Sequence, residues 1–301
     1  MLWAWIVIAS QAFNAGAMLL DKFLLTKKIP SPAVLTFWTC LANLLGVVFV
    51  FWNFHFNPGT YLLILSLLSG ASFTAGLWFY FLAMKRGEAT HIGPMVGGVV
   101  PIVSFAMSYL WLGERLTATQ NIAVLLLIVG IFIISFEKTA KHSGWHLGML
   151  WAIFAGAFFA VSYVLIHVAY QSETFSTAFV WARVGCMAAA LLLLFHAKTR
   201  RAIFTMDASQ SSLDRSSVLI LAVNKVMATL YFLGMNVAVY LASATLVNAF
   251  AGLQYVFLFF AMLVSTRFYP KFMKEYFSRW ELATEIIALL FIAAGVGVML
   301  I

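Results

Sequence analysis

The chain has 301 residues, 64% of them hydrophobic and 9% charged, with a mean hydropathy of +0.99. Soluble domains carry about 25% charged and about 45–50% apolar residues, so water cannot be the solvent for most of this chain, and its 16% aromatic content excludes disorder. The net charge of +8 would suggest nucleic acid in a soluble protein; here no nucleic-acid partner is expected, and the placement of the charges matters more than their sum.

A membrane span needs about 20 mostly apolar residues. Ten such runs occur in order: 3–25, 32–52, 61–84, 89–112, 118–136, 146–168, 174–196, 216–240, 244–266 and 281–301. They are separated where polar or helix-ending residues cluster, as at Lys27-Lys28-Ile29-Pro30, Asn57-Pro58-Gly59, Lys85-Arg86-Gly87 and Gly113-Glu114-Arg115. The first run lacks a basic n-region and a small-residue cleavage site, so it reads as a retained helix rather than a signal peptide. The longest connection, 197–215, leaves no room for a soluble domain. The expected fold is an all-α integral membrane protein of ten transmembrane helices.

Fifteen of the eighteen Lys and Arg fall on the side of the connections after runs 1, 3, 5, 7 and 9, counting Lys22 at the end of run 1; the opposite side holds only Arg115, and Arg183 and Lys225 lie deep inside runs. Cytoplasmic loops carry the excess of basic residues, so the basic side is assigned to the cytoplasm and both termini to the extracytoplasmic side. Trp3, Trp5, Trp145, Trp151 and Trp280 stand near run ends, where interfacial aromatics belong.

Self-comparison reveals an internal repeat. A shift of 155 pairs Ala89-Thr90 with Ala244-Thr245, Gly97 with Gly252 and Ala106-Met107 with Ala261-Met262. A shift of 165 pairs Ala118-Thr119 with Ala283-Thr284, Ile122-Ala123 with Ile287-Ala288 and Gly130 with Gly295. A shift of 148 pairs Leu2-Trp3-Ala4 with Leu150-Trp151-Ala152. Three matches in the same order divide the chain into five-helix units, 1–140 and 141–301. Five is odd, so the second unit enters the membrane inverted, the symmetry that lets a carrier open to one side and then the other.

The stretch Ala83-Met84-Lys85-Arg86-Gly87-Glu88-Ala89 to Pro101, closing with Trp111-Leu112-Gly113-Glu114-Arg115-Leu116-Thr117, resembles the repeat unit of EamA-like transporters of the drug/metabolite transporter superfamily. The resemblance implies ten helices in two inverted halves and translocation of small metabolites, commonly export. The second half departs from the pattern, with Ser265-Thr266-Arg267 in place of Gly-Glu-Arg. The extracytoplasmic termini also differ from the cytoplasmic ones usually drawn for these relatives.

Ionisable groups at membrane depth are costly and are therefore functional candidates. Arg183 and Lys225 stand out, and no Asp or Glu lies comparably deep, so the interior is expected to carry an uncompensated positive bias. Two cations facing a cavity suit a phosphate or carboxylate, and Arg can bind it bidentately; Lys225 could also carry a proton. Against this, Arg183 matches a place where the family's repeats often carry an Arg, opposite Cys40 if Trp38 aligns with Trp181, and it could be structural. Lys225 aligns with Gly70 and has no such explanation. The amides Gln11, Asn14, Asn224, Asn236, Asn248 and Gln254 could line the cavity or simply join helices.

In the fourth run, His91 precedes Gly93, Pro94, Gly97 and Pro101, residues that let a membrane helix bend or unwind and offer backbone groups to a solute, or let helices pack closely. Trp78, Phe79 and Tyr80 are candidate cavity walls, although aromatics in such a sequence also serve as packing. Glu114 and Arg115 read as a loop-closing pair. Cys40 and Cys186 lie in apolar runs and suggest no disulfide framework or metal site. His55, His142, His146, His167 and His196 lack metal-ligand spacing.

No Gly-x-x-x-x-Gly-Lys-Ser/Thr or Gly-x-Ser-x-Gly motif occurs, so neither an enzyme nor a cofactor is expected. The first reading is a secondary active or facilitative transporter of a small polar, anionic or zwitterionic metabolite, with possible proton or counter-solute coupling. It is expected in the lipid bilayer of a bacterial cytoplasmic (inner) membrane, and a monomer fits. The alternatives are a flippase for a phosphate-bearing or polyprenyl-linked lipid and a receptor or scaffold without transport.

Overall fold

The computed structural model describes residues 2–27, 31–87, 89–135, 147–204, 215–268 and 279–300, and every regular element among them is helical. In chain order these are α1 (Leu2–Lys27), α2 (Pro32–Asn43) continued by a 3₁₀ segment Leu44–Phe51, α3 (Thr60–Arg86), α4 (Ala89–Trp111), α5 (Ala118–Ser135), α6 (Leu147–Ser172), α7 (Phe175–Leu192), α8 (Ala197–Phe204), α9 (Arg215–Leu241), α10 (Ala244–Ala249), α11 (Leu253–Phe268) and α12 (Arg279–Leu300). Each of the ten apolar runs coincides with helix. Seven are long and apolar enough to cross a membrane: α1, α2 with its 3₁₀ continuation, α3, α4, α6, α7 and α9. The apolar stretches Ala118–Ile133, Ala244–Leu258 and Ile286–Gly295 are shorter. The expected loop at 197–215 opens instead with the short basic helix α8, which buries Ile203.

Local chemistry sets the helix ends. Pro32 starts α2, where a missing N–H costs nothing. The Thr174 hydroxyl caps α7 by accepting from the Thr177 N–H at 3.3 Å, and Ser243 caps α10 through the Thr245 N–H at 3.2 Å. The turn before α3 needs Gly59 at φ +90°, and the turn after α4 needs Gly113 at φ +65°.

One sequence expectation is corrected here. α4 stays α-helical from Ala89 to Trp111 through both Pro94 and Pro101, since neighbouring helices can re-satisfy backbone groups freed by proline. The unwinding falls in the second half, at the 3₁₀ turn Phe250–Gly252 between α10 and α11. Gly252 is the residue matched to Gly97.

Small residues bring the helices together. α5 packs along α12: a Cβ on Gly130 would stand 2.9 Å from the Ala288 carbonyl oxygen, and one on Gly295 would stand 3.0 Å from that of Ala123. Gly130 and Gly295 are matched by the self-comparison, as are Ala123 and Ala288, so this contact is reciprocal. α3 lies along α6, and α1 along α9. α3 also meets α7 backbone to backbone, because a Cβ on Gly70 would overlap the Ala182 carbonyl and the Cys186 amide, and one on Gly185 would overlap the Leu67 carbonyl.

Polar ties sit at both ends of the bundle. The Lys22 ammonium donates to the carbonyls of Met84 (3.1 Å) and Gly87 (2.6 Å), acceptors left open where α3 ends. At the other end the 52–58 connection is held to the α6–α7 turn. Thr174 donates to the Asn53 carbonyl at 3.0 Å, the His55 N–H donates to Thr177 at 3.0 Å, and the His55 ring meets Glu173 at 3.2 Å.

Candidate substrate cavity

A central cavity of about 110 Å³ lies among α1, α2, α3, α4, α6, α9, α10 and α11. One water needs roughly 10–15 Å³ on the same measure, so the space accommodates a small solute. Phe73, Tyr80, Phe81, Phe159, Tyr163, Tyr231 and Phe232 wall it, and polar groups gather toward two ends.

The charged end is built by three helices. Lys225 on α9 donates to the Thr39 hydroxyl of α2 at 2.6 Å, and its Nζ stands 4.0 Å from Oδ1 of Asp21 on α1. Asn224 donates to the same Asp21 oxygen at 3.1 Å and to the Ala17 carbonyl at 2.8 Å. The expected uncompensated positive interior is therefore corrected, because Asp21 supplies a buried counter-charge. Asp21 sits beside Lys22 near the end of the first run and reads there as part of the interface. The signal that reveals it is spacing: Asp21 follows Asn14 by seven residues, two helical turns on one face.

The amide end lies about 10 Å away, at 1.5 Å of rise per residue along α1. There Asn14 donates to Gln254, and the Tyr255 hydroxyl donates to the Gly93 carbonyl. Asn248 donates to Ser104 at 2.7 Å, while its own carbonyl oxygen has no hydrogen-bond partner among the described residues. A side chain on Gly97 would overlap the Tyr255 hydroxyl, so this glycine is required for the ring's close approach.

Of the residues singled out in the sequence, Asn14, Lys225, Asn248, Gln254, Gly93 and Gly97 line the cavity. Asn224 stands behind Asp21, and Gln11 is buried against the Met235 sulfur at 3.6 Å. Pro94 and Pro101 are buried in α4 away from the lining, and the His91 side chain lies outside the described residues.

Two expectations are corrected. Arg183 does not face the cavity: it is 2% exposed, and its guanidinium stacks over Phe232 at 3.9 Å, Phe179 at 4.7 Å and Phe73 at 5.9 Å. Trp78 points outward, 39% exposed and stacked on Phe79 at 5.7 Å; its neighbour Tyr80 reaches the cavity instead. The α3 register decides this, since residues two apart on a helix face different ways. Gly46 and Gly70 admit Arg183 and α7 so closely that the guanidinium is held behind the phenyl wall.

Helices long and apolar enough to cross a membrane surround a polar, aromatic-walled cavity of a size to admit a small solute. Residues 1–136 match the EamA-like transporter family. The match includes the motif from Ala83 to Thr117 that carries the resemblance in the sequence. An uncharacterized protein of Methanocaldococcus jannaschii is 30% identical over 73 residues, 24% of this chain and 53% of that protein, so the chain spans about half the length of this curated relative. A protein of known crystal structure superposes with a TM-score of 0.64 over 97% of this chain and 94% of its own, at 18% identity, and shares the fold.

Proposed function

We propose that the chain is a secondary active or facilitative carrier, working as an exporter, for a small polar metabolite that is anionic or zwitterionic. The observation that carries this reading is the Lys225–Asp21 pair at one end of the cavity, 4.0 Å apart and joined to Thr39 and Asn224. A carboxylate or phosphate can take the Lys225 ammonium, and a substrate ammonium can take Asp21. The pair is self-neutral, so a zwitterion that exchanges partners with both groups leaves no buried charge uncompensated.

Alternating access between two inverted five-helix halves, 1–140 and 141–301, is supported by the reciprocal α5–α12 contact, which has the form of a two-fold interface. A comparison of two seams supports it further. The alignment that sets Trp38 opposite Trp181 sets Thr39 opposite Ala182, and Lys225 stands opposite Gly70. At the α3–α7 seam Gly70 meets Ala182 backbone to backbone. At the equivalent α9–α2 seam Lys225 meets Thr39 through a long side chain, and the cavity occupies the space between. One seam is closed and its counterpart is held open, as two states of a carrier require. With the basic loops in the cytoplasm of a bacterial inner membrane, the open seam faces inward, ready to load an exported solute.

The test is a thermal-shift screen of the protein in detergent against amino acids, carboxylates, phosphorylated metabolites, cationic drugs and polyprenyl phosphates, followed by flux in proteoliposomes. Binding to the folded state raises the melting temperature by mass action. Stabilisation by anions or zwitterions that is lost in Lys225→Met, with flux of the same compounds, is expected. Stabilisation by cations alone, or by polyprenyl phosphates alone, overturns the reading, the latter in favour of a flippase.

A further inference from the structure

Behind the phenyl wall, Arg183 belongs to a cluster that the transport reading does not use. Cys40 on α2 and Cys186 on α7 are both buried free thiols, 146 positions apart in the sequence, yet both contact one hydroxyl. Thr74 Oγ1 lies 3.5 Å from the Cys40 sulfur and 3.3 Å from the Cys186 sulfur, and it also donates to the Cys186 carbonyl at 2.9 Å. The Thr74 hydroxyl therefore bridges the two thiols.

Gly70 makes this possible: one turn before Thr74, it lets α3 touch the α7 backbone at Ala182 and Cys186. Arg183 stands one turn before Cys186 on α7. Its Nε and Nη1 have no hydrogen-bond partner among the described residues, and no carboxylate there lies within ion-pair distance of it. The reactive form of a cysteine is the thiolate, and a neighbouring cation favours that form. A guanidinium without a carboxylate, one turn from Cys186, and a second thiol reaching the same Thr74 hydroxyl make up such an environment.

We infer that Cys40 and Cys186 form an oxidisable dithiol site that a small peroxide converts to a disulfide joining α2 to α7. The Cys186 thiolate attacks one peroxide oxygen, the O–O bond breaks, and the departing oxygen takes a proton to leave as water, or as an alcohol from an organic peroxide. Cys186 is then a sulfenic acid. The Cys40 sulfur attacks it, the S–S bond forms, the S–O bond breaks, and hydroxide leaves with the Cys40 proton as water. Two thiols lose two electrons in total, and the peroxide gains them. A peroxide is small and uncharged enough to reach this depth, and Thr39, next to Cys40, lines the central cavity. The disulfide ties together corresponding helices of the two proposed halves and so arrests their relative motion. That arrest rests on the carrier reading; formation of the disulfide does not.

The full-length protein in detergent is treated with hydrogen peroxide, quenched, unfolded without reductant, alkylated with a maleimide and weighed intact. Loss of two hydrogens from the chain and of both alkylation sites, reversed by dithiothreitol, is expected. Cys40→Ser and Cys186→Ser lose the reaction, and Thr74→Val slows it. Two thiols still alkylated after peroxide, or a sulfinic Cys186 beside an intact Cys40, overturns the site, and both outcomes are read on the unmodified chain. In proteoliposomes, flux of a solute identified by the screen falls to background on oxidation and returns with reductant. Flux unchanged in protein shown by mass to carry the disulfide overturns the arrest and leaves transport itself intact.

Discussion

An ammonium at the centre of a membrane helix costs about 2.5–3.5 kcal/mol on insertion scales, and Lys225 recovers part of that from the Thr39 hydroxyl at 2.6 Å and Asp21 at 4.0 Å. Removing one partner of such a buried pair leaves an uncompensated charge, a loss of about 3–5 kcal/mol. Asp21→Asn and Lys225→Met are therefore each expected to lower the melting temperature, because each strands the partner's charge. The double variant is expected to regain much of the loss, read by thermal unfolding in detergent. Additive losses would show that the two groups are not coupled. Arg183 solves the same cost differently, by laying its guanidinium on three phenyl faces. Phe232→Ala removes the nearest of these, at 3.9 Å, and is expected to destabilise by about 3–5 kcal/mol through the lost ring and the cavity left behind.

Helix packing turns on glycines whose missing Cβ makes room for a neighbour's backbone. Gly295 faces the Ala123 carbonyl, whereas Gly297, one turn-fraction on, has nothing within 4 Å. Gly295→Ala is expected to destabilise by about 1–3 kcal/mol through overpacking, while Gly297→Ala is neutral or stabilising by up to about 1 kcal/mol through helix propensity. Thermal unfolding of the two variants side by side distinguishes a packing role from a general glycine effect. Helix positions were legible from hydropathy because apolar run length is a local property of the chain. The short helix α8 was not, since it depends on docking Ile203. The unbroken course of α4 was not legible either, because Pro94 and Pro101 signal a break in isolation and only the packed neighbours offset it.

At the scale of the molecule, the basic loops predict that both termini face away from the cytoplasm. A single cysteine placed at residue 1, in a Cys40→Ser/Cys186→Ser background, is expected to react with a membrane-impermeant maleimide on intact spheroplasts. One placed in the 197–204 segment is expected to react only after lysis. The reverse pattern would invert the orientation and, with it, the side to which the proposed open α2–α9 seam faces. About a quarter of the cavity lining is legible in the sequence: Asn14, Lys225, Asn248, Gln254, Gly93 and Gly97 stand out as polar or small residues at membrane depth. Asp21 was hidden by its place beside Lys22, and Arg183 and Trp78 were overcounted, since depth along a helix says nothing of the direction around it.

Hydropathy, charge placement and motif, all read along the chain, identify a protein that lives in lipid and show where its helices fall, which loops carry positive charge and which family its first 136 residues resemble. Each of these follows from local exchange of water for hydrocarbon or from a contiguous motif. Tertiary packing alone settles which of two buried cations faces the cavity, which carboxylate answers it, and that Cys40 and Cys186 reach one Thr74 hydroxyl. Those outcomes depend on how closely α3 approaches α7 at Gly70 and on the rotation of each helix about its axis, and packing of distant segments sets both.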